Sequence, residues 1–333
     1  MRAAMFVGPG KPLEITTVDD PTPGPGEAVI ATRRCGICGS DIHLTSGHGQ
    51  GFSSGTLIGH EYTGQVVAVG RGVERLKIGD SVSAMPVAGC GRCRTCARGN
   101  VILCREKRSY VGGCADFTKI AEASAVVLPS RITPADGALV EPLAVGLHGV
   151  RRVSYPEGAR ILVIGAGAAG LATIFWAAKL GVGRIVVTSR SSHREMLALK
   201  FGASAFVESG PTAGEEIEEA LGGPPDVVFE CVGLPGLLDQ AIERAAIGGA
   251  VVCMGFCTVP DAIVPATGLF KEVSVHFSMG YTLAEFQQAA NCFDAGRIEP
   301  RVMVERTVTL EELPEAFEEQ RAGSAAAKLH VQI

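Results

Sequence analysis

An apolar run that breaks into spaced glycines, Ile161-Leu-Val-Ile-Gly165-Ala-Gly167-Ala-Ala-Gly170, restricts the fold of this chain more than any other stretch. Four consecutive aliphatic residues read as a strand buried on both faces, as in a parallel sheet. A helical pattern from Leu171 to Leu180 follows, so the glycines sit at a strand-to-helix turn. In that position a G-x-G-x-x-G motif turns its backbone amides and the helix dipole toward a pyrophosphate, whereas the motif alone would be a weak signal. Gly165, Gly167, Ala168, Ala169 and Gly170 are therefore candidate cofactor contacts. From Arg160 onward strand and helix patterns alternate. Arg184 to Thr188, Ala203 to Val207, Asp226 to Gly233 and Gly249 to Gly255 read as strands, with Gly214 to Leu221 and Leu237 to Ala246 as helices. This alternation predicts an α/β fold with a doubly wound parallel sheet. Ligands bind outside the carboxyl ends of such strands, which makes Val232, Gly233 and Gly255 candidates for the nicotinamide side of a dinucleotide.

The second strand of that pattern ends in Ser189-Arg190, about twenty residues past the glycines, where an NAD site usually places Asp or Glu. Without the carboxylate a 2′-phosphate meets no repulsion, and Arg190 can offer it a charge-assisted hydrogen bond worth about 1.5–3 kcal/mol. That is roughly one to two decades of preference, so the expected cofactor is NADP(H). The plainer alternative is that Arg190 is a solvated loop cation.

The first part of the chain reads differently. Short apolar runs such as Ala28 to Ala31, Gln65 to Val69 and Asp80 to Ala84 alternate with Gly/Pro turns, the pattern of a compact, irregular β domain. Gly47 to Gly55 is a Gly/Ser/His loop suited to a pocket rim. Cys35-Gly-Ile-Cys38-Gly-Ser40-Asp41-Ile-His43 places a thiol, a hydroxyl, a carboxylate and an imidazole within nine residues, on what reads as a glycine-turned loop. A thiolate binds zinc strongly, and Ser40 and His43 are suited to passing a proton to solvent. Gly59-His60-Glu61 precedes a strand, and loops at strand ends can bring it and Cys38 to one ion. Cys90, Cys93, Cys96 and Cys104 follow at C-x2-C-x2-C-x7-C, spacing that suits a closed tetrahedral zinc site with a structural role. Four buried thiols or two disulfides are the alternative. Pro134 to Gly149 reads as helical with a break at Glu141-Pro142. A carboxylate in that apolar run is costly to bury unless paired or metal-bound; otherwise Glu141 faces solvent or caps the following helix.

The chain has 333 residues, 47% of them apolar, enough for two domains. A net charge of −5 argues against nucleic acid or an anionic membrane as the main partner. No apolar run reaches spanning length and the first residues lack a signal-peptide pattern, so the expected place is the cytoplasm. In that setting the eleven cysteines suggest metal or buried thiols rather than disulfides. Cys35, Cys114, Cys231, Cys253, Cys257 and Cys292 read as small apolar groups, and His48, His148, His193, His276 and His330 as packing, surface or loop residues.

These pieces in this order resemble the zinc-dependent medium-chain dehydrogenase/reductase superfamily, most closely its sorbitol, butanediol and threonine dehydrogenase branch. The resemblance rests on Gly36-Ile-Cys-Gly-Ser-Asp41, Gly59-His-Glu61, the four-cysteine lobe, Val140-Glu-Pro-Leu-Ala-Val-Gly146, the glycine motif and Gly280-Tyr281, and it covers nearly the whole chain. It implies a GroES-like catalytic domain over 1–145 and 281–333, with a structural zinc lobe over 89–105. A Rossmann nucleotide domain over 146–280 and a cleft between the two complete the picture. It further implies two zinc ions per chain. One is held by Cys38, His60 and either Glu61 or Glu141, the two carboxylates exchanging with water during turnover; the other is held by the lobe. Ser40 is implied to accept the substrate's proton, and His43 to continue the relay. The homologous proteins are commonly homodimers or homotetramers. Ser189-Arg190 departs from the acidic residue usual in the polyol branch. The segment Leu44 to Leu57 lacks the bulky aromatic and basic residues that a sugar or amino-acid pocket would want.

The reaction this predicts is reversible hydride transfer between an alcohol carbon and C4 of the nicotinamide, the carbon partner being a small secondary alcohol, polyol or ketone. Zinc lowers the pKa of bound water from about 15.7 to about 7, roughly 12 kcal/mol, against ~10²–10⁴-fold for a hydroxyl relay, so the metal is the larger expected effect. The rivals are a zinc-free quinone or enone reductase on the same scaffold, and a non-enzymatic NADPH-binding protein.

Overall fold

The computed structural model describes residues 1–48, 51–323 and 326–333, and the chain divides into one unit of Met1–Ala144 with Tyr281–Ile333 and a second of Val145–Gly280. Among the described residues no helix is long and apolar enough to cross a membrane.

The first unit is built on a seven-stranded sheet. Its longest member, Glu27–Ile37, pairs antiparallel with Glu61–Val69 on one side and with Lys328–Gln332 on the other, and Phe117–Ala121 pairs with its first half. Alternation along these strands sends Ala28, Ile30, Cys35, Tyr62, Val66, Leu329 and Val331 into one apolar core. The opposite pleat receives residues of another kind: the register sets Gly36 beside Glu61 and beside His330. The last strand is thus the route by which Lys328 and His330 reach the polar face of the sheet, with Lys328 and His330 both buried.

Two local structures differ from the sequence reading. The Cys35–His43 stretch is not an open loop: the strand runs to Ile37 and a short helix, Gly39–Leu44, begins immediately after Cys38. The Asp41 carboxylate accepts the Cys38 backbone N–H at 3.0 Å, satisfying an orphan donor at the helix start. Nor does the chain break at Glu141-Pro142. Pro134–Val150 is one helix with Pro142 inside it. An interior proline costs about 3 kcal/mol, but Leu139, Val140 and Leu143 are fully buried, at about 1.5–3 kcal/mol each. The start of this helix is also pinned: the buried Asp136 carboxylate accepts Arg301 Nε at 2.7 Å and Nη2 at 2.8 Å, and the Thr133 N–H at 3.0 Å. Burial alone would raise the Asp136 carboxyl; Arg301 and Thr133 together hold it below its ordinary value.

The second unit is a six-stranded, all-parallel sheet. In spatial order its strands are Ala205–Glu208, Arg184–Ser189, Arg160–Ile164, Val227–Glu230, Ala250–Cys253 and Ser274–Phe277. Numbered along the chain this is 3-2-1-4-5-6, with the reversal of order beside Arg160–Ile164, where a dinucleotide-binding sheet opens its crevice. Leu162, Val186, Val228 and Val251 from four neighbouring strands pack with Ile217 and Ile242.

Candidate active site

Two clusters of metal-type side chains form in the first unit. Cys90, Cys93, Cys96 and Cys104 bring their four sulfurs within 4.8 Å of one another. Cys93 Sγ lies 3.5 Å from Cys96 Sγ and 3.8 Å from Cys104 Sγ. Four thiolates each 2.3 Å from one ion would stand about 3.8 Å apart, close to these two separations, so the donor set suits a tetrahedral zinc. The Thr95 hydroxyl, 3.0 Å from Cys93 Sγ, is the main cause holding that thiol down to about 6, while burial pushes Cys96 up to about 11. Among the described residues all the cysteines are free thiols, which removes the two-disulfide alternative.

The second cluster is Cys38, His60 and Glu61, with ligand atoms again mutually within 4.8 Å. They come from two local structures. Cys38 sits between strand and helix, His60 at the entrance to the strand Glu61–Val69, and Glu61 on its first residue. Asp41, buried on the same short helix, holds His60 Nδ1 at 3.1 Å and so fixes the ring's orientation. Burial disfavours a charged His60, but Asp41 and then Cys38 outweigh it and raise the imidazole well above its ordinary value. The sulfur, nitrogen and oxygen donors in one place fit the three-ligand set of an open zinc site.

Glu61 is fully buried and its carboxylate meets the Lys328 ammonium at 2.6 and 2.7 Å. A β-carbon added at Gly36 would lie 2.0 Å from Glu61 Oε2, so the carboxylate rests directly on backbone. Glu141, the other candidate carboxylate, is buried and stands outside the mutual 4.8 Å set. Burial is the main cause pushing its carboxyl up to about 7, with His60 opposing the rise and Glu61 adding to it. Burial first, and then Glu141, drive the Tyr281 phenol well up, although its hydroxyl makes no hydrogen bond of full geometry.

Ser40 and His43 lie three residues apart on the helix Gly39–Leu44 and hence on one face of it. The far end of this helix is tied down by Arg321, whose guanidinium donates to the Thr45 hydroxyl at 3.0 Å and to the Ile42 carbonyl at 3.4 Å. Of the expected pocket rim Gly47 to Gly55, Gly49 and Gln50 lie outside the described residues. A separate cavity of about 250 Å³, lined by Arg33, Thr63, Gln65 and Thr133 among others, contains none of the candidate residues.

In the second unit the glycine turn has the form its letters suggest. Gly165 has φ +101°, the helix Ala168–Lys179 starts after Gly167, and a β-carbon at Gly170 would lie 1.9 Å from the Gly165 carbonyl oxygen. Only glycine permits that approach of helix to strand. Val232, Gly233 and Gly255 gather around Glu230. Its Oε1 accepts the Val232 and Gly233 N–H groups at 2.7 and 2.8 Å, and a β-carbon at Gly255 would come 2.3 Å from its Oε2. Ser189 ends its strand and Arg190 follows, exposed. Four residues on, Arg194 donates to the Ala166 carbonyl at 3.3 Å, which puts its guanidinium against the glycine turn. Glu208, the last residue of the neighbouring strand, accepts the Ser192 N–H at 3.0 Å and so sets a carboxylate against this loop.

Lys328, Glu230, Arg194 and Arg321 are the residues that sequence reasoning did not single out. A lysine alternating with Leu329 and Val331 in the last strand, and a glutamate closing the apolar run Val227-Val-Phe-Glu230, were the available signals for the first two. Cys231, Cys253 and Cys257 are half-buried rather than core, the Cys253 thiol lying 3.7 Å from Glu230 Oε2. His330 is buried with its ring neutral: burial, then Lys328 and Arg34, push it down to about 3.

Comparison with known proteins points the same way in both units. Residues 24–130 match the alcohol dehydrogenase GroES-like domain, and residues 168–295 match the zinc-binding dehydrogenase domain. The L-threonine 3-dehydrogenase of Saccharopolyspora erythraea is 30% identical over 97% of this chain and 96% of its own length. Among solved structures, one from Sinorhizobium meliloti 1021, described as a zinc-binding dehydrogenase and bound to NADP, superposes with a TM-score of 0.88 at 31% identity. It covers 100% of this chain and 99% of its own. Another, described as a short chain alcohol dehydrogenase from Escherichia coli CFT073 and complexed with NADH, superposes with a TM-score of 0.90 at 25% identity, covering 100% and 99%.

Proposed function

Since the chain belongs to the zinc-binding alcohol dehydrogenase family and is an oxidoreductase of that kind, we propose that it interconverts a small secondary alcohol or polyol and its ketone at the expense of NADP(H), using two zinc ions. The observation that carries this reading is the convergence of Cys38, His60 and Glu61, with Asp41 behind the histidine. Zinc bound there would supply Lewis-acid stabilisation of negative charge on the substrate oxygen. The chain's own residues do the rest. Asp41 keeps the His60 ring turned toward the site. A nicotinamide bound to the second unit would supply the hydride acceptor; Ser40 receives the proton of the alcohol, and His43, on the same helix face, passes it to solvent. In the reductive direction both transfers reverse.

The cofactor side rests on Gly165, Gly167, Ala168, Ala169 and Gly170 for the pyrophosphate, and on Val232, Gly233 and Gly255 for the nicotinamide. Ser189 and Arg190 read the 2′-phosphate. The cytoplasm is the proposed compartment. We also infer a homo-oligomer. The edge strand Ser274–Phe277 has one neighbour in its sheet, and Leu269, Phe270, Phe277 and Met279 are exposed around it.

The test is a panel of secondary alcohols, diols, polyols and ketones assayed with each nicotinamide cofactor, alongside the zinc content of the purified protein. Turnover of a secondary alcohol with NADP⁺ and two zinc ions per chain are expected. One zinc per chain with enone reduction would favour the zinc-free rival, and a clear preference for NAD⁺ would refute the role of Arg190.

A further inference from the structure

Lys328 occupies a place that a lysine rarely takes: it is 2% exposed, on a strand in the middle of a sheet. Its ammonium has three protons and the structure accounts for three acceptors. Glu61 Oε1 lies at 2.6 Å, Glu61 Oε2 at 2.7 Å, and the Ile37 carbonyl, one residue before Cys38, at 3.1 Å. Both oxygens of one carboxylate are therefore committed to a single cation. The same carboxylate is backed by Gly36, where a β-carbon would come within 2.0 Å of it, and its remaining approach is toward Cys38 and His60. If the ammonium served only to neutralise a buried acid, an apolar pair would do as well or better, because a buried ion pair gives little net stability.

We propose that Lys328 is a positioning residue for the metal: it shares the charge of Glu61 between its own ammonium and an ion held by Cys38 and His60, and so limits how tightly Glu61 grips that ion. This rests on the metal reading of the site given above. The carboxylate is a ligand on a tether. To turn an oxygen fully toward the ion it must give up a charge-assisted hydrogen bond inside the protein. The contact to Ile37 extends the same control to the backbone that carries Cys38. Without the ammonium, Glu61 would become a full, persistent ligand.

The experiment follows metal release rather than turnover. Zinc content is measured first in the wild type. The rate at which a chelator removes the more labile ion is then compared between the wild type and Lys328→Met, and visible spectra are taken with cobalt(II) in its place. Slower release by about ten- to a hundredfold, the worth of one charge-assisted hydrogen bond, is expected, together with a shifted cobalt band. A lysine that merely fastens the last strand would give the opposite sign, a looser site and faster loss. Lys328→Gln, neutral but still able to donate to Glu61, is the second variant should Lys328→Met not fold; it is expected to slow release to a smaller extent. Release at the wild-type rate or faster from a folded variant that binds two ions overturns the role of Lys328 alone. A wild type that binds one ion, kept by the four-cysteine lobe, overturns the metal reading and this inference with it.

Discussion

The two clusters of the first unit both gather metal-type donors yet are built on opposite plans. The lobe draws four thiols from fifteen consecutive residues, Cys90 to Cys104, so its geometry is set locally. The Cys38–His60–Glu61 cluster draws three different donors from two places far apart in the chain, the junction of a strand and a short helix and the start of a second strand, and residues from elsewhere hold its parts. Asp41 holds His60, Lys328 holds Glu61, and Arg321 holds the end of the helix that carries Ser40 and His43. Four sulfurs close a tetrahedron and leave no place for a reactant; three mixed donors leave one open. The difference teaches that closure can be local, whereas an open position must be kept open by the rest of the fold.

Cys38→Ser and His60→Ala should sharpen this contrast most. Losing several kcal/mol of charge stabilisation predicts a fall in kcat of ~10³-fold or more, with zinc content dropping from two to one and little change in Tm. Cys93→Ser or Cys104→Ser should do the reverse. Zinc content also drops to one, but the loss is of several kcal/mol in stability, read as a lowered Tm, while the folded fraction keeps most of its activity. If the lobe variants lost activity without losing stability, the division of labour would be wrong.

Asp136→Ala removes the bidentate partner of Arg301 and the Thr133 contact at the start of the helix that bears Glu141, and should cost about 3 kcal/mol in denaturant unfolding. Because the Asp136 carboxyl is held below its ordinary value in the folded protein, its contribution is complete above the unfolded pKa near 3.9 and fades as pH falls through the lower folded value. Acid unfolding curves of the wild type and Asp136→Asn should therefore converge below about pH 4. Unchanged separation at all pH values would exclude this carboxylate from the balance. The next effect in size is that of Asp41→Asn, expected to weaken metal retention about 10–100-fold by chelator titration. His43→Ala, which removes only the proposed relay, should lower kcat by about 10²-fold or less and leave both ions in place.

How far the sequence discloses this protein follows the same division. The lobe and the glycine turn are contiguous, so their spacing states their geometry: four cysteines at fixed intervals, and glycines wherever a helix and a strand touch. Cys38, His60 and Glu61 also came from local motifs. The residues that hold them did not, because Lys328 lies 267 positions from its carboxylate and Arg321 is 276 from Thr45. Nothing in either one's neighbours along the chain indicates what it will meet. Pro142 misled for a related reason. A proline interrupts a helix by local rules, but here buried leucines on the same helix outweigh it. Glu61 and Glu141 were equivalent as letters, and the fold separates them: one is paired with a buried ammonium, the other is buried beside a phenol, and burial is the main cause pushing its carboxyl up.

Gly36 offers a last consequence. With no room for even a methyl group between it and Glu61, it presents bare peptide as the floor beneath a charged side chain. Random mutagenesis at that codon followed by selection for turnover should recover glycine alone. Attempts to enlarge or reshape the reaction chamber for new alcohols therefore have one wall that cannot be moved.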